Sequence, residues 1–306
     1  MSDATPTTEQ PDRATTRVPL WSLLVPFIAA FVLLLVAAQL PDGRLHIWVL
    51  DVGQGDSILV KTPKGHVVVI DGGPGATPVL NGVGQHVPFW QRNLDLLVLT
   101  HPQPENMMGF VELLGRYGVG QVVQTEFTAT AGVQVEWLRG VRERGIPVHY
   151  ARRGETIGFE GEPDLVMTVL SPSTPDAARE RQGGDANNGS IVLRVMYGKH
   201  AVLLEGNAQE RAEAEMVRSE AGEMASEVLK VGQYGSSKSS SAPFLKAVNP
   251  RVAIISVGAG NRFGYPEPQT LDALEKVGAR VYRTDLDGTV QVTADKEQMW
   301  VRSEKR

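Results

Sequence analysis

Leu99-Thr100-His101-Pro102-Gln103-Pro104-Glu105-Asn106-Met107-Met108-Gly109-Phe110 is the stretch that decides the fold. The apolar run 94–99 leads into it and reads as a fully buried strand, while Phe110, Leu113 and Leu114 follow at helical spacing. The stretch therefore closes a strand and opens a helix. It has the shape of a metal-binding turn, but only His101 and Glu105 carry side chains suited to a metal.

The rest of the chain limits what such a turn can do. There is no cysteine, so disulfides, thiolate metal sites and cysteine nucleophiles are excluded, and only six histidines are present. A formal charge of −5 excludes a broadly basic surface that would coat nucleic acid. With 306 residues and 42% hydrophobic content, the chain can bury one large core or two modest ones.

Strands are expected at 45–50, 57–60, 67–70, 94–99, 119–123 and 148–150, with a helix after His101 and another at 133–144. The second half alternates in the same way. It has strands at 165–170, 190–196, 201–204, 228–231, 252–257, 281–283 and 290–292, and helices at 208–219, 243–248 and 268–277. Strands that pair locally in one stretch and alternate with helices in the next predict a layered α/β protein with mixed sheets. Residues 172–184 carry no pattern and read as a surface loop.

Residues 1–17 read as a disordered tail, and 18–40 as a transmembrane helix or signal anchor. Twenty-three uncharged residues would span about 34 Å as a helix. A cleaved signal peptide, processed near Val36-Ala37-Ala38, is the stronger rival, and a buried helix the other. Arg13 and Arg17 favour a cytoplasmic tail and an extracytoplasmic folded part, which would be secreted if 1–38 were removed. Residues 41–306 form the remaining domain.

Several glycine-bearing turns fall at the ends of apolar strands, where open α/β sheets place their sites. They are Asp71-Gly72-Gly73, the His101 turn, Glu205-Gly206-Asn207, Gln233-Tyr234-Gly235-Ser236 and Asn261-Arg262-Phe263-Gly264-Tyr265-Pro266. Together with Asp51-Val52-Gly53-Gln54-Gly55-Asp56-Ser57, Asn187-Asn188-Gly189-Ser190 and Leu229-Lys230-Val231-Gly232, these motifs resemble the metallo-β-lactamase-fold domain of the ComEC competence family. The resemblance runs over about 45–302. It implies a four-layer αββα sandwich and descent from a metal-dependent hydrolase linked to DNA uptake.

The same resemblance marks departures at the metal positions. The family's turn reads H-x-[HD]-x-D-H, whereas here Gln103 and Asn106 replace ligands and Glu105 replaces the Asp. The family's T-G-D becomes Glu205-Gly206-Asn207, its H-H-G-S becomes Gln233-Tyr234-Gly235-Ser236, and Tyr265 stands where it has a histidine. His101, Gln103, Glu105, Asn106, Asn207, Gln233 and Tyr265 are thus expected to form a remnant site. No metal or small-molecule cofactor is expected, and His101 and Glu105 are the residues of this remnant site that could hold a metal.

Asp71 reads either as a turn former or as a residue orienting the His101 turn. Asn188 and Ser190 are expected to tie turns together. Ser236, Lys238 and Arg262 are candidate phosphate contacts, although a flexible polar turn explains the serines as well, and Lys230 with Lys238 and Arg262 would form a basic rim. The leading expectation is a membrane-anchored, catalytically degenerate binding or scaffolding module, with DNA or an uptake-channel protein as partner. The alternative is a phosphodiester hydrolase whose rebuilt site uses His101, Glu105, Glu205 and Glu267 to hold Mg²⁺, Mn²⁺ or Zn²⁺. A lactamase proper is a third, lesser reading.

Overall fold

The computed structural model describes residues 20–37, 39–126, 132–173 and 186–305. The chain divides into two units, Met1–Leu40 and Pro41–Arg306. In the first, helix α1 (Leu20–Ala37) exposes apolar side chains along its length, among them Trp21, Phe27, Phe31, Leu33 and Leu34. Its 18 residues would span only about 27 Å. Among the described residues, no helix is long and apolar enough to cross a membrane, so the 23-residue crossing expected at 18–40, of which residues 18, 19 and 38 lie outside the described residues, finds no support. The expected tail, 1–17, and all but Pro172 and Ser173 of the loop expected at 172–184 lie outside the described residues.

The second unit is a mixed α/β sandwich of two sheets. The first sheet takes β1 (Leu45–Val49), β2 (Ile58–Lys61), β3 (Val67–Ile70), β4 (Asn93–Leu99), β5 (Gly118–Gln124), β6 (Val148–Tyr150), β14 (Val290–Ala294) and β15 (Met299–Ser303). Their order across the sheet is β15-β14-β1-β2-β3-β4-β5-β6, antiparallel up to β3 and parallel from β3 to β6.

The second sheet takes β7 (Thr156–Gly158), β8 (Leu165–Ser171), β9 (Val192–Tyr197), β10 (His200–Leu204), β11 (Val228–Lys230), β12 (Val252–Ile255) and β13 (Arg280–Arg283), in the order β13-β12-β11-β10-β9-β8-β7. β10 to β13 pair in parallel, and β7 to β10 antiparallel.

The period of two along each strand sorts the core into layers. Val68, Ile70, Leu96 and Val98 face Met167, Val169, Leu193, Val202, Leu204 and Ile254 in the space between the sheets. Their alternates Val67, Val69, Leu97 and Leu99 face outward, under α2 (Ala76–His86), α3 (Pro104–Arg116) and α4 (Gly132–Glu143). On the far side, Val192, Leu203, Leu229, Ala253 and Ile255 lie under α5 (Glu210–Glu220), α6 (Ala242–Val248) and α7 (Pro268–Lys276). Helix, sheet, sheet and helix are the four layers expected, consistent with the metallo-β-lactamase fold.

Helix α3 starts where the chain chemistry dictates. Pro104 occupies its first turn, where the missing N–H costs nothing, and Glu105 meets the positive end of the helix dipole, with Arg116 at the other end. Met107, Phe110, Leu113 and Leu114 form its buried stripe. Helix α2, strands β7 and β15, and a short helix α8 (Thr284–Asp287) were not legible as elements in the sequence.

Candidate functional site

The site lies where β3, β4, β10, β11 and β12 end. Asp71 follows β3 in the left-handed region, with φ at 57°, and is fully buried. Its Oδ1 accepts from the Thr100 backbone N–H (2.8 Å), and its Oδ2 accepts from the Thr100 hydroxyl (2.6 Å) and the Asn106 amide (2.9 Å). Asp71 thus orients the His101 turn, one of its two expected roles. Burial, and then the charge of Asp56, push it up to about 7 despite these donors. Close backbone contact fixes the turn further: a Cβ on Gly109 would lie 2.1 Å from the Gly72 carbonyl oxygen.

The hydrogen bonds determine the state of His101. The Thr100 hydroxyl gives its one hydrogen to Asp71, so toward His101 Nδ1, 3.0 Å away, it can only accept. The neutral ring therefore carries its proton on Nδ1, and Nε2 holds a lone pair. That lone pair accepts from the Asn207 amide at 2.8 Å. Burial is the main cause that lowers the ring to about 3; the Lys230 charge adds to it and the Gln103 carboxamide opposes it. The imidazole is neutral throughout the physiological range.

The amide of Asn207 also reaches the Tyr234 hydroxyl (3.4 Å), which donates to Asn106 Oδ1 (2.7 Å), and Asn106 in turn donates to Asp71. The circuit is closed. Tyr234 and Gln233 both have positive φ, 58° and 42°, which turns the Tyr234 ring into the site. Burial raises its hydroxyl well above the ordinary phenol range.

Beneath this circuit lies a buried ion pair between Lys230 and Asp56, each 1% exposed. Lys230 Nζ also approaches the Gly206 carbonyl (3.4 Å) and lies 5.9 Å from the centroid of the Tyr234 ring. Lys230 is therefore not part of an exposed basic rim, since its strand carries it into the interior. The sequence did hold the signal, a lone lysine within the apolar strand Val228-Leu229-Lys230-Val231. Lys238 and Arg262 are exposed.

The carboxylates of the alternative site do not come together. Glu105 lines the open cleft. Glu205 is fully buried, accepts from the Gly232 N–H (2.8 Å), and is raised well above the usual range by burial and then by its neighbour Glu213. Glu213 accepts the backbone N–H groups of Ser240 and Ser241. Glu267 accepts the N–H (3.1 Å) and hydroxyl (2.8 Å) of Ser237, and these bonds hold it below its ordinary value. The serine turn thus gives the donors that a phosphate would use to Glu267 and Glu213. Its Ser236 hydroxyl also faces Glu267, at 3.4 Å.

Asn188 accepts the Ala212 N–H at 3.1 Å, tying its turn to α5. The Ser190 backbone N–H holds its turn through the Asn187 carbonyl (3.0 Å), and its buried hydroxyl has no partner among the described residues.

Above the circuit opens a cleft of about 660 Å³. Gln103, Glu105, Asn207, Gln233 and Tyr265, all expected site residues, line it, together with Tyr234, Arg262 and four residues of the sequence motifs without an expected site role, Gln54, Asn187, Asn261 and Phe263. His101 and Asn106 lie buried below. The fold family implies metal ions at this place, and the residues present do not fit them. The one imidazole lone pair is occupied by an amide, the facing groups are neutral carboxamides and a phenol, and a buried ammonium stands nearby. Among the described residues, no three His, Asp or Glu side chains are grouped to hold an ion.

Sequence comparison finds ComE operon protein 3 of Bacillus subtilis, 30% identical over 277 residues, and competence protein ComA of Neisseria gonorrhoeae, 32% identical over 277 residues. This chain is a homologue of the ComEC-family proteins. These matches cover 85% and 89% of the ComEC-like chain but 34% and 35% of the relatives, so it spans about a third of their length. Among solved structures, CmlA, a diiron β-hydroxylase from Streptomyces venezuelae, shares the fold with a TM-score of 0.52 at 13% identity, over 83% of this chain and 54% of that one. No protein-family model matches the chain.

Proposed function

We propose that this ComEC-like chain is a binding or scaffolding module that has exchanged metal-dependent hydrolysis for a neutral recognition cleft, and that it works beside DNA-uptake machinery. The observation that carries this reading is the closed circuit at His101. The nitrogen that would face a metal accepts the Asn207 amide, and Tyr234, Asn106 and Asp71 complete the network, in which the unpaired acceptor is a neutral amide oxygen, that of Asn207. The link to DNA uptake rests on a relative named as a competence protein. Helix α1, with its exposed apolar surface, is the part we assign to membrane contact.

Metal content and nuclease activity test the reading together. The purified chain, incubated with zinc and manganese and then dialysed, is expected to retain far less than one ion per chain and to cleave no DNA in an EDTA-sensitive way. One or two tightly held ions would overturn it, as would EDTA-sensitive cleavage lost in His101→Ala or Glu105→Ala. Those results would support the phosphodiester hydrolase instead.

A further inference from the structure

Six side chains lining the cleft are carboxamides: Gln54, Gln103, Asn187, Asn207, Gln233 and Asn261. They arrive from six separate segments; Asn261 spends both ends of its amide on its own turn, Gln103 donates to Asn187 and Gln233 accepts from Gln209, so the groups left to a ligand come chiefly from Gln54, Asn207 and Gln233. Two of these residues hold a buried polar atom with no partner among the described residues. Asn207 Oδ1 is an orphan acceptor, because the other end of its amide is committed to His101 and Tyr234. Gln54 Nε2 is an orphan donor, because its oxygen already accepts the Gly258 N–H (3.1 Å). Buried groups of this kind cost stability unless something satisfies them.

The charge balance of the lining narrows the ligand. Besides the tyrosines, its titratable groups are Glu105 and Arg262, of opposite sign. The ammonium of Lys230 is neutralised by Asp56. A phosphodiester would meet one cation and one carboxylate. The walls also include aromatic surface, with Phe263 stacked on Tyr265 at 5.7 Å and itself 52% exposed.

We propose that the cleft binds an uncharged saccharide unit, either as a free sugar or as part of a larger glycan. The inference rests on the reading of the cleft as a metal-free binding site. A sugar ring presents hydroxyls around its whole perimeter, each both donor and acceptor, and carboxamides match both roles. Its C–H faces suit the aromatic wall. A nucleobase carries its polar atoms in one plane and cannot meet amide groups on several sides of the cleft at once. The cleft volume of about 660 Å³ falls within the roughly 300–1,000 Å³ of small-ligand pockets.

The test uses the full chain against an array of neutral mono- and disaccharides. The strongest binder, as free sugar and as polymer, is then titrated calorimetrically beside nucleosides and a thymidine oligonucleotide. Saccharide binding is expected, weakened about tenfold in Gln233→Ala and again in Phe263→Ala. Phe263 is exposed, so its loss leaves the fold intact whatever happens to the first variant. Three results would overturn the proposal: no saccharide binding up to about 10 mM, binding indifferent to both variants, or binding of nucleosides or oligonucleotide alone. Metal-free protein that ignores sugars refutes this inference only. Tightly bound zinc or manganese refutes the reading beneath it.

Discussion

Replacing Lys230 by methionine tests the buried centre of the site. Lys230 and Asp56 are each 1% exposed, and the second oxygen of Asp56, Oδ1, has no hydrogen-bond partner among the described residues. Without the ammonium, Asp56 must either stay charged in the interior or take up a proton. Burial already raises it, and Lys230 is the main group that holds it down. Starting from the ordinary value of 3.8, keeping an aspartate protonated at pH 7 costs roughly 4 kcal/mol, which agrees with the about 3–5 kcal/mol typical of breaking a buried pair. In a domain of this size that lowers Tm by about 8–16 °C. The direction with pH follows from the same step. A carboxyl raised in the folded state contributes its stability fully below 3.8 and loses it as pH rises, so the deficit of Lys230→Met should be small near pH 4 and large at pH 7.5. Urea unfolding at both pH values measures it, and the double variant Asp56→Asn/Lys230→Met should recover most of the loss. A deficit under about 1 kcal/mol at pH 7.5 would refute the reasoning, as would one that does not change with pH.

Three further outcomes are expected. In a histidine NMR titration, His101 shows no protonation from pH 8 down to about pH 4, because its value is lowered to about 3, and it carries the Nδ1–H tautomer above pH 7, where Asp71 is ionised and accepts the Thr100 hydroxyl. Asp71, at about 7 when folded against 3.8 unfolded, gives up stability as pH rises between these values, about 4 kcal/mol in all. Asp71→Asn should therefore flatten the stability profile between pH 4 and 7, as read by urea unfolding at steps of pH. Gly109→Ala puts a methyl 2.1 Å from the Gly72 carbonyl oxygen and 3.1 Å from that of Gly75, so the helix must move off the Asp71 turn. A loss of about 3 kcal/mol or more is expected in chemical denaturation.

The layers were legible in the sequence because periodicity is a local signal. Val67-Val68-Val69-Ile70 and the run 94–99 read as buried strands without knowledge of their neighbours. The last strand β15 was not legible, since its residues are half-exposed and show no alternation, and it is defined by its pairing with β14, from Ala294 with Met299 to Val290 with Ser303. Of the site, the turns and their substituted positions could be read, and Gln103, Glu105, Asn207, Gln233 and Tyr265 do line one cleft. What could not be read was pairing at a distance: Lys230 with Asp56, Ser240 and Ser241 with Glu213, Tyr234 with Asn106. A strand pattern says which face a residue takes but not which charge waits on it. For the same reason Lys230 looked like a surface cation.

The substitutions at the site are better understood as one change than as several. If ligands were removed one at a time from a buried metal centre, each step would leave acceptors facing one another with no cation between them, at about 1–3 kcal/mol per unsatisfied group. A carboxamide avoids this, because it carries a donor beside its acceptor and can answer an imidazole lone pair with one end and a ligand with the other. Asn207 donates to His101, and Asn106 donates to Asp71 while accepting from Tyr234. Tyr234 adds the hydroxyl that joins the two amides. The network holds the His101 turn against the ends of β10 and β11, so the cross-link between the two sheets that a metal would supply is made here by neutral hydrogen bonds. Any variant that restores a carboxylate at Asn207 alone should then weaken the fold before it gains a metal, because His101 cannot donate from Nε2 while its single proton is held at Thr100.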